Sequence, residues 1–453
     1  MTDPLPILPF REPLQGPRVR LPGSKSLTNR ALILAALSRQ EVTLEGALFS
    51  RDSQVMCECL KRLGFEVFDD EKARSFRVRG AGGDVPRAEV SLHLGNSGTS
   101  ARFVTALAAL RKGGRYEIDG DPAMRKRPME GLLRVLKAQG ATFQWLGERW
   151  YMPFVMQTDG LRGGTLPVDA QASSQLLSGL LMVAPFARET ARIEQIGNTV
   201  SAPFIRMTTE FMARIGSVDA TSGQNGIYTP TAPEGYTFNA SRYVVEPDAT
   251  AASYFIALAI AVGGHQTMEP WPEAMLQGDA DFARRLDQRG LVSVLAETDA
   301  DTLTVQAAKD SPRAFTDDFN AISDTFLTLA ALAPLLQGTT RIDGIAHTRH
   351  QETDRIAAMA TELERLGQGV DQGEDFLQIT PNLEAMRAAS KAAPVPIDTY
   401  EDHRVAMSFG ILGCHDLHGD GRPWLAIRDP HCCGKTFPDF FVKLDRLRAN
   451  QDA

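Results

Sequence analysis

The chain has 453 residues, 43% of them hydrophobic and 23% charged, with a formal net charge of −8. That length exceeds one ordinary hydrophobic core, and the composition is that of a globular protein with no disordered or collagen-like bias. The acidic balance argues against a general nucleic-acid or membrane-surface role, so anionic ligands would have to be met by local clusters of cations.

A proline-rich leader of about 20 residues reaches Arg18–Gly23. The apolar periodicity then predicts a helix over Ser26–Leu37 that opens at Ser24-Lys25-Ser26, a strand in VTLEG, and an amphipathic helix over Asp52–Leu63. On that second helix Val55, Cys59 and Leu63 share a face, and Gly64 is placed to cap its C-terminus. The same order recurs along the chain. Apolar helices are expected after Asn96-Ser97-Gly98-Thr99, Ser173-Ser174-Gln175, Pro247-Asp248-Ala249-Thr250, Ser323-Asp324-Thr325 and Asp402-His403-Arg404. Amphipathic helices are expected to close on Gly140, Gly216, Gly290 and Gly367 as on Gly64, at spacings of 76, 76, 74 and 77 residues. The segment DFFVKLDRLRA supplies a last helix one period later.

So steady a period means one architectural unit used six times. The α/β alternation predicts mixed sheets covered by helices, and six units divide most simply into two domains of three. The longest interruption, residues 221–247, carries glycine and proline punctuation. A crossover near its end, with a partner crossover near Arg18–Gly23, gives domains of 23–245 and of 1–22 with 246–453. MRAASKAAPVPIDTY, before Asp402, reads as a surface loop.

Helix N-termini carry partial positive charge and unpaired N–H groups, so polar caps at six such ends read as parts of an anion site. RVRLPGSKS is not a nucleotide P-loop, because Ser24 separates Gly23 from Lys25. What remains is a lysine and two serines at a helix start, with Arg30 one turn on. Asn96 to Thr99 exposes backbone with little side-chain bulk ahead of Arg102, and Arg125-Lys126-Arg127 precedes a further helix. Asp324 is either a plain N-cap or a general base. Glu352 and Arg355 stand three apart at a helix start, as a capping-type pair or as working groups. Asp402-His403-Arg404 and Gly434-Lys435-Thr436 complete the set. Each motif has an ordinary structural explanation singly, but eight in register with one repeat do not.

Five cysteines, Cys57, Cys59, Cys414, Cys432 and Cys433, form no C-x-x-C pair, which suits a reducing compartment. The spacings around His415, His431 and Cys432 fit no common zinc pattern, so no metal is expected. The N-terminus lacks a secretory pattern, and the longest apolar run falls far short of the ~20 residues that span a bilayer. The expected setting is the cytoplasm.

The segments PGSKSLTNRALILAAL, LGNSGTSARF, GDPAMRKRP, SSQLLSGLLMVAPFA, VEPDATAASYF, QETDRIAAMATEL, YEDHRVAMSF and GKTFPDFF resemble, in order and spacing, the 5-enolpyruvylshikimate-3-phosphate synthase family. The resemblance runs from about Pro22 to Leu447. It implies the inside-out α/β barrel of enolpyruvyl transferases: two similar domains, each of three βαβαββ units, with the active site in the interdomain cleft. It implies transfer of the enolpyruvyl group of phosphoenolpyruvate to the 5-hydroxyl of shikimate 3-phosphate, through a tetrahedral intermediate and with release of phosphate.

By that resemblance, shikimate 3-phosphate is held by Lys25, Ser26, Arg30, Ser173, Ser174, Gln175, Ser201, Asp324, His347 and Gln351. Phosphoenolpyruvate is held by Lys25, Asn96, Gly98, Arg127, Gln175, Glu352, Arg355, Arg404 and Lys435. Asp324 is the expected base at the 5-hydroxyl, and Glu352 the acid that protonates the methylene carbon and takes the proton back, with Lys25 sharing either role. No cofactor is implied, and the expected partners are the two small substrates, met by a monomer. The two ligands together carry roughly −5 to −6. Lys25, Arg30, Arg127, Arg355, Arg404 and Lys435 nearly balance that, so the empty site is expected to be strongly cationic.

Four positions depart from the familiar bacterial pattern. Gln351 stands at a lysine position, His347 at an asparagine position, Phe204 at a tyrosine position and Phe103 at a proline position. His347 or the nearby His350 is expected to restore a charge below about pH 6.5. Gly98 is kept, which leaves room for a competitor such as glyphosate. Two rival readings fit less well. The sister transferase acting on UDP-N-acetylglucosamine usually carries a cysteine in a loop that here, at 111–128, has none. A non-catalytic anion-binding scaffold would not need Asp324 and Glu352 beside the cations.

Overall fold

Two kinds of helix build the protein. In the computed structural model, which describes residues 3–171, 173–197, 202–217, 226–297, 301–309 and 312–449, the first kind comprises Lys25–Leu37, Gly98–Ala108, Ser174–Val183, Ala249–Val262, Phe326–Leu332 and His403–Gly413. These are apolar on every face, and Leu27 to Leu37, for instance, is buried without a break. A helix with no polar stripe belongs in an interior. The second kind comprises Arg51–Arg62, Glu130–Ala138, Ala202–Arg214, Asp281–Gln288, Arg355–Arg365 and Phe440–Arg448. These are amphipathic: Met56, Cys59 and Leu60 are buried while Arg51, Gln54, Glu58 and Arg62 are exposed.

Five of the amphipathic helices end on the predicted glycines, all in the left-handed region: Gly64 at φ +94°, Gly140 at +106°, Gly216 at +91°, Gly290 at +70° and Gly367 at +78°. Each makes the same pair of bonds. Gly64 N–H donates to the Lys61 carbonyl and Phe65 N–H to the Leu60 carbonyl, both at 3.0 Å, and Gly290 and Leu291 repeat this with Asp287 and Leu286. This Schellman arrangement satisfies the last carbonyls and turns the chain into the following strand.

Six small sheets share one pairing rule. A parallel pair of strands is followed by an antiparallel neighbour of the second strand, as in Glu89–His93 beside Gly114–Asp119 beside Phe154–Thr158. The same holds for Gly164–Asp169, Ala191–Ile196 and Ile227–Tyr228, for Thr316–Asp318, Thr340–Asp343 and Phe376–Thr380, and for Val395–Ile397, Leu425–Ile427 and Leu5–Pro6. In these four sheets an apolar helix links the parallel pair, the usual crossover between parallel strands.

The other two sheets exchange strands. Leu14–Arg20 precedes the Lys25–Leu37 helix but pairs with Gly264–Glu269, while Arg242–Val244 precedes the Ala249–Val262 helix but pairs with Glu41–Glu45. The exchange requires the chain to cross over twice. Ser24 N–H donates to the Glu246 carbonyl and Asp248 N–H to the Pro22 carbonyl, each at 2.8 Å. The two compact units are accordingly Met1–Pro22 with Pro247–Ala453, and Gly23–Glu246. Gly23 has no room for a side chain, since a Cβ there would lie 2.0 Å from the Gly46 carbonyl oxygen.

The stretch before Asp402 is not the expected surface loop. It forms a helix, Leu383–Ala389, and a strand, Val395–Ile397, that buries Val395 and Ile397. Pro396 disguised the strand, yet the strand sits at the edge of its sheet, where proline costs no ladder bond. Among the described residues no helix is long and apolar enough to cross a membrane.

Gly290 isolates the backbone contribution of the repeated cap, because a Cβ there would touch nothing within 4 Å. Gly290→Ala is expected to cost about 1 kcal/mol, a fall of roughly 2–4 °C in melting temperature, and Gly290→Asn distinctly less, since asparagine tolerates this conformation. Scanning calorimetry on both variants checks the order.

Candidate active site

The apolar helices carry few polar groups, and the predicted residues gather at and near their N-terminal ends. In the Gly23–Glu246 unit, Ser24 caps the first helix by accepting the Leu27 N–H at 3.4 Å. The Lys25 ammonium stands 3.9 Å from the nearly buried Asp52 carboxylate. Arg30, one turn later, is 1% exposed. Its Nη1 donates to the Ser26 carbonyl at 3.1 Å, its Nε to the Thr208 hydroxyl at 2.8 Å and its Nη2 to the Phe204 carbonyl at 3.1 Å. Burial pulls its proton affinity down to about 9. The Phe103 ring lies under this guanidinium at 5.2 Å. Two of the departures from the family pattern, Phe103 and Phe204, therefore meet on one arginine.

Gly98 begins the second apolar helix, capped by Ser97 accepting the Ser100 N–H. A Cβ at position 98 would lie 2.8 Å from both Cζ and Nη2 of Arg127. Arg125 is engaged on the surface by both oxygens of Asp119, at 2.9 and 2.7 Å, and Lys126 is exposed. Arg127 differs: its Nε and Nη1 are buried without a hydrogen-bond partner among the described residues. The Gln175 Oε1 is equally unmet, while its Nε2 donates to Thr99 at 3.2 Å. Ser173 caps the third helix through the Gln175 N–H, Ser174 is buried, and Asn96 lies in the turn before Gly98. Unmet donors and an unmet acceptor beside a helix N-terminus are what an anionic, hydroxylated ligand would satisfy. Ser201 lies outside the described residues.

In the Pro247–Ala453 unit, Arg355 is the hub. Its Nε donates to Asp402 at 2.7 Å, Nη1 to Asp324 at 3.0 Å and also to Gln351, and Nη2 to Glu352 at 2.9 Å. Arg404 takes the second oxygen of Asp324 at 2.7 Å, and the Lys435 ammonium takes Glu352 at 3.0 Å. Burial alone would lower the proton affinity of Arg355, but Asp402, Glu352 and Asp324 together hold it above the ordinary arginine value.

A family model described as EPSP synthase (3-phosphoshikimate 1-carboxyvinyltransferase) matches residues 11–444. The chain belongs to the EPSP synthase family. A relative named 3-phosphoshikimate 1-carboxyvinyltransferase from Opitutus terrae is 48% identical over 99% of this chain and 98% of its own. One of the same name from Nostoc punctiforme is 39% identical over 95% and 96%. Among solved structures, an EPSP synthase from Acinetobacter baumannii superposes with a TM-score of 0.77 at 23% identity, covering 98% of both chains.

Within this family frame, several expectations need correction. Asp324 caps no helix: it lies in the 3₁₀ turn Asn320–Thr325 and spends both oxygens on arginines. Glu352 precedes its helix, which starts at Arg355 and is capped by Asp354 accepting the Ala357 N–H at 3.0 Å. His347 does not restore a charge near pH 6.5. Its Nε2 shares a hydrogen bond with the Ser323 hydroxyl at 2.8 Å, and burial lowers its proton affinity, with Asp324 only partly opposing. Nor is the Arg355 cluster of the Pro247–Ala453 unit cationic, for Arg355, Arg404 and Lys435 face Asp324, Glu352 and Asp402 one for one. The excess lies in the first unit, where Lys25, Arg30, Arg102 and Arg127 stand against Asp52.

Asp52 and Asp402 are the site residues that motif reasoning left without roles. Asp402 sat in a quoted motif, and an aspartate at a helix start already implied a cap, which it provides to the Arg404 N–H at 2.8 Å. Among the described residues no group of His, Cys, Asp and Glu could hold a metal ion.

Asp402 is wholly buried, and its loss would take from the buried Arg355 the acceptor of its Nε. Asp402→Ala is expected to destabilise by about 3 kcal/mol or more, and Asp402→Asn by clearly less, because an amide still accepts the capping N–H. Thermal melts of the three proteins test this order.

Proposed function

We propose that this chain is a 3-phosphoshikimate 1-carboxyvinyltransferase, which moves the enolpyruvyl group of phosphoenolpyruvate onto the 5-hydroxyl of shikimate 3-phosphate and releases phosphate. The observation that carries the reading is the shared arginine: Arg355 holds Asp324 at 3.0 Å and Glu352 at 2.9 Å, so two carboxylates stand in one cation cluster with Arg404 and Lys435. A scaffold for anions gains nothing from carboxylates there, whereas addition and elimination need one group for the hydroxyl proton and another for the carbon proton.

In the first half, Asp324 accepts the 5-hydroxyl proton as that oxygen bonds to C2 of phosphoenolpyruvate, and Glu352 delivers a proton to the methylene carbon. In the second half Glu352 takes a proton back from that carbon as the C2–O bond to phosphate breaks, and the departing phosphate carries away the proton that Asp324 had taken. Substrate anions that take over Arg355 and Lys435 release Glu352 for this work. Lys25, Arg127, Gln175 and the N-terminus at Gly98 support phosphoenolpyruvate, with Asn96, Arg355, Arg404 and Lys435. Lys25, Ser26, Arg30, Ser173, Ser174, Gln175, Ser201, Asp324, His347 and Gln351 support shikimate 3-phosphate.

Phosphate release is expected to depend on shikimate 3-phosphate and to be absent with UDP-N-acetylglucosamine or without an acceptor; release with the sugar nucleotide alone would overturn the reading. Asp324→Asn and Glu352→Gln are each expected to lower kcat by about 10²–10⁴. Gly98→Ala, whose methyl must displace Arg127, is expected to raise KM for phosphoenolpyruvate and to weaken inhibition by glyphosate, whereas equal inhibition constants would show that Gly98 does not set access.

A further inference from the structure

The segment YEDHRVAMSF supplies Asp402 and Arg404 to the site, but its first two residues, Tyr400 and Glu401, have no part in the reaction above. Both are left-handed, at φ +55° and +57°. Asp402 N–H donates to the Thr399 carbonyl at 2.8 Å and closes a four-residue turn around them. Positive φ at both central positions is the pattern of a type I′ turn, where asparagine and glycine are the usual occupants. A tyrosine and a glutamate are disfavoured there because their Cβ atoms crowd the backbone, so contacts outside the turn must hold it.

The holding contact is Glu362. Its side chain is wholly buried on the Arg355–Arg365 helix; Oε1 accepts the Tyr400 hydroxyl at 2.7 Å and Oε2 the Asp398 N–H at 3.3 Å. Asp398 is engaged in turn by Arg365 and Arg428, each at 2.9 Å, and Arg365 also reaches Glu362 at 2.9 Å. Arg355 stands two turns before Glu362 on the same helix face. It takes Asp402 through Nε at 2.7 Å and Nη2 at 3.4 Å. One helix therefore grips the segment 398–402 at both ends and in the middle. The residue gripped last also accepts the Arg404 N–H at 2.8 Å, so a shift of the turn reaches Arg355 and Arg404 together.

We propose that Tyr400 is a positioning residue: its hydrogen bond to Glu362 keeps the Thr399–Asp402 turn left-handed, and through Asp402 sets Arg355 and Arg404 for the anionic groups of phosphoenolpyruvate. This rests on those two arginines being ligands of phosphoenolpyruvate. Tyr400 is 39% exposed, so Tyr400→Phe removes the hydroxyl without opening the core. Without that bond the turn is free to leave its disfavoured geometry, and affinity falls with the fraction of molecules that keep it.

Tyr400→Phe is expected to raise KM for phosphoenolpyruvate about five- to tenfold, with kcat and KM for shikimate 3-phosphate changing less than about twofold. Adding Glu401→Gly removes one Cβ that opposes the turn and should bring KM back toward the wild-type value, while Glu401→Gly alone leaves it unchanged. A KM for phosphoenolpyruvate that stays put in Tyr400→Phe, whatever the melting temperature does, would make the tyrosine a structural tie only and overturn the proposal. So would equal rises for both substrates, or a rise that Glu401→Gly does not reverse. Amide hydrogen exchange reads the turn without turnover: the Asp402 and Arg404 amides should exchange faster in Tyr400→Phe and slow again in the double variant. Wild-type protein that releases no phosphate with shikimate 3-phosphate would sink the proposed reaction, and exchange then decides the tyrosine separately, unchanged rates at those two amides counting against its hold on the turn.

Discussion

A helix that is apolar on every face can carry polar residues only at its ends. Six such helices, from Lys25–Leu37 to His403–Gly413, run through the interiors of the two units, and this one constraint explains the rest. Sheets and amphipathic helices must lie outside them, because nothing else can supply a wet face. The unpaired N–H groups of the first turn, and the side chains that cap them, place polar groups at the helix starts. Ser24, Ser97, Ser173, Asp248 and Asp402 all cap these helices, and every group given a catalytic or binding role lies within a few turns of such an end or in the loops beside it.

The two units meet the resulting electrostatic problem differently. In Pro247–Ala453 each buried cation is matched by a carboxylate, and Arg355 uses all its nitrogens on protein oxygens. Such a cluster is stabilised by mutual pairing at the cost of desolvation, so a competing anion is admitted only by exchange, one carboxylate for another. In Gly23–Glu246 the matching is incomplete, and Arg127 keeps two donors unmet. A ligand there gains hydrogen bonds without breaking protein pairs, whereas in the other unit it frees carboxylates.

What could be read from the sequence was local. The helix starts and the five closing glycines lie within one turn of the residues that determine them, so periodicity and cap chemistry located them. The strand exchange was legible only as an interruption near 247, because Arg242–Val244 pairs with a strand about 200 residues earlier and no local pattern encodes that register. The pairing around Arg355 was hidden for the same reason. Arg355 meets Asp324 and Asp402 across 31 and 47 residues, and Arg404 meets Asp324 across 80. Composition named the members, but their pairing, and hence the neutral balance, needed the fold.

The departures at Phe103 and Phe204 are explained by the arginine they share. Arg30 is buried among Thr208, Ser178 and the Phe204 carbonyl, so the contact at position 204 is made by backbone and survives any side chain there. The Phe103 ring supplies an electron-rich face at 5.2 Å on the adjoining helix, where a proline could offer none. Both positions thus meet one buried charge, position 204 through its carbonyl and position 103 through its ring. A buried cation held by carbonyls, hydroxyls and a ring, with no carboxylate of its own, keeps its full charge for an anion that reaches it.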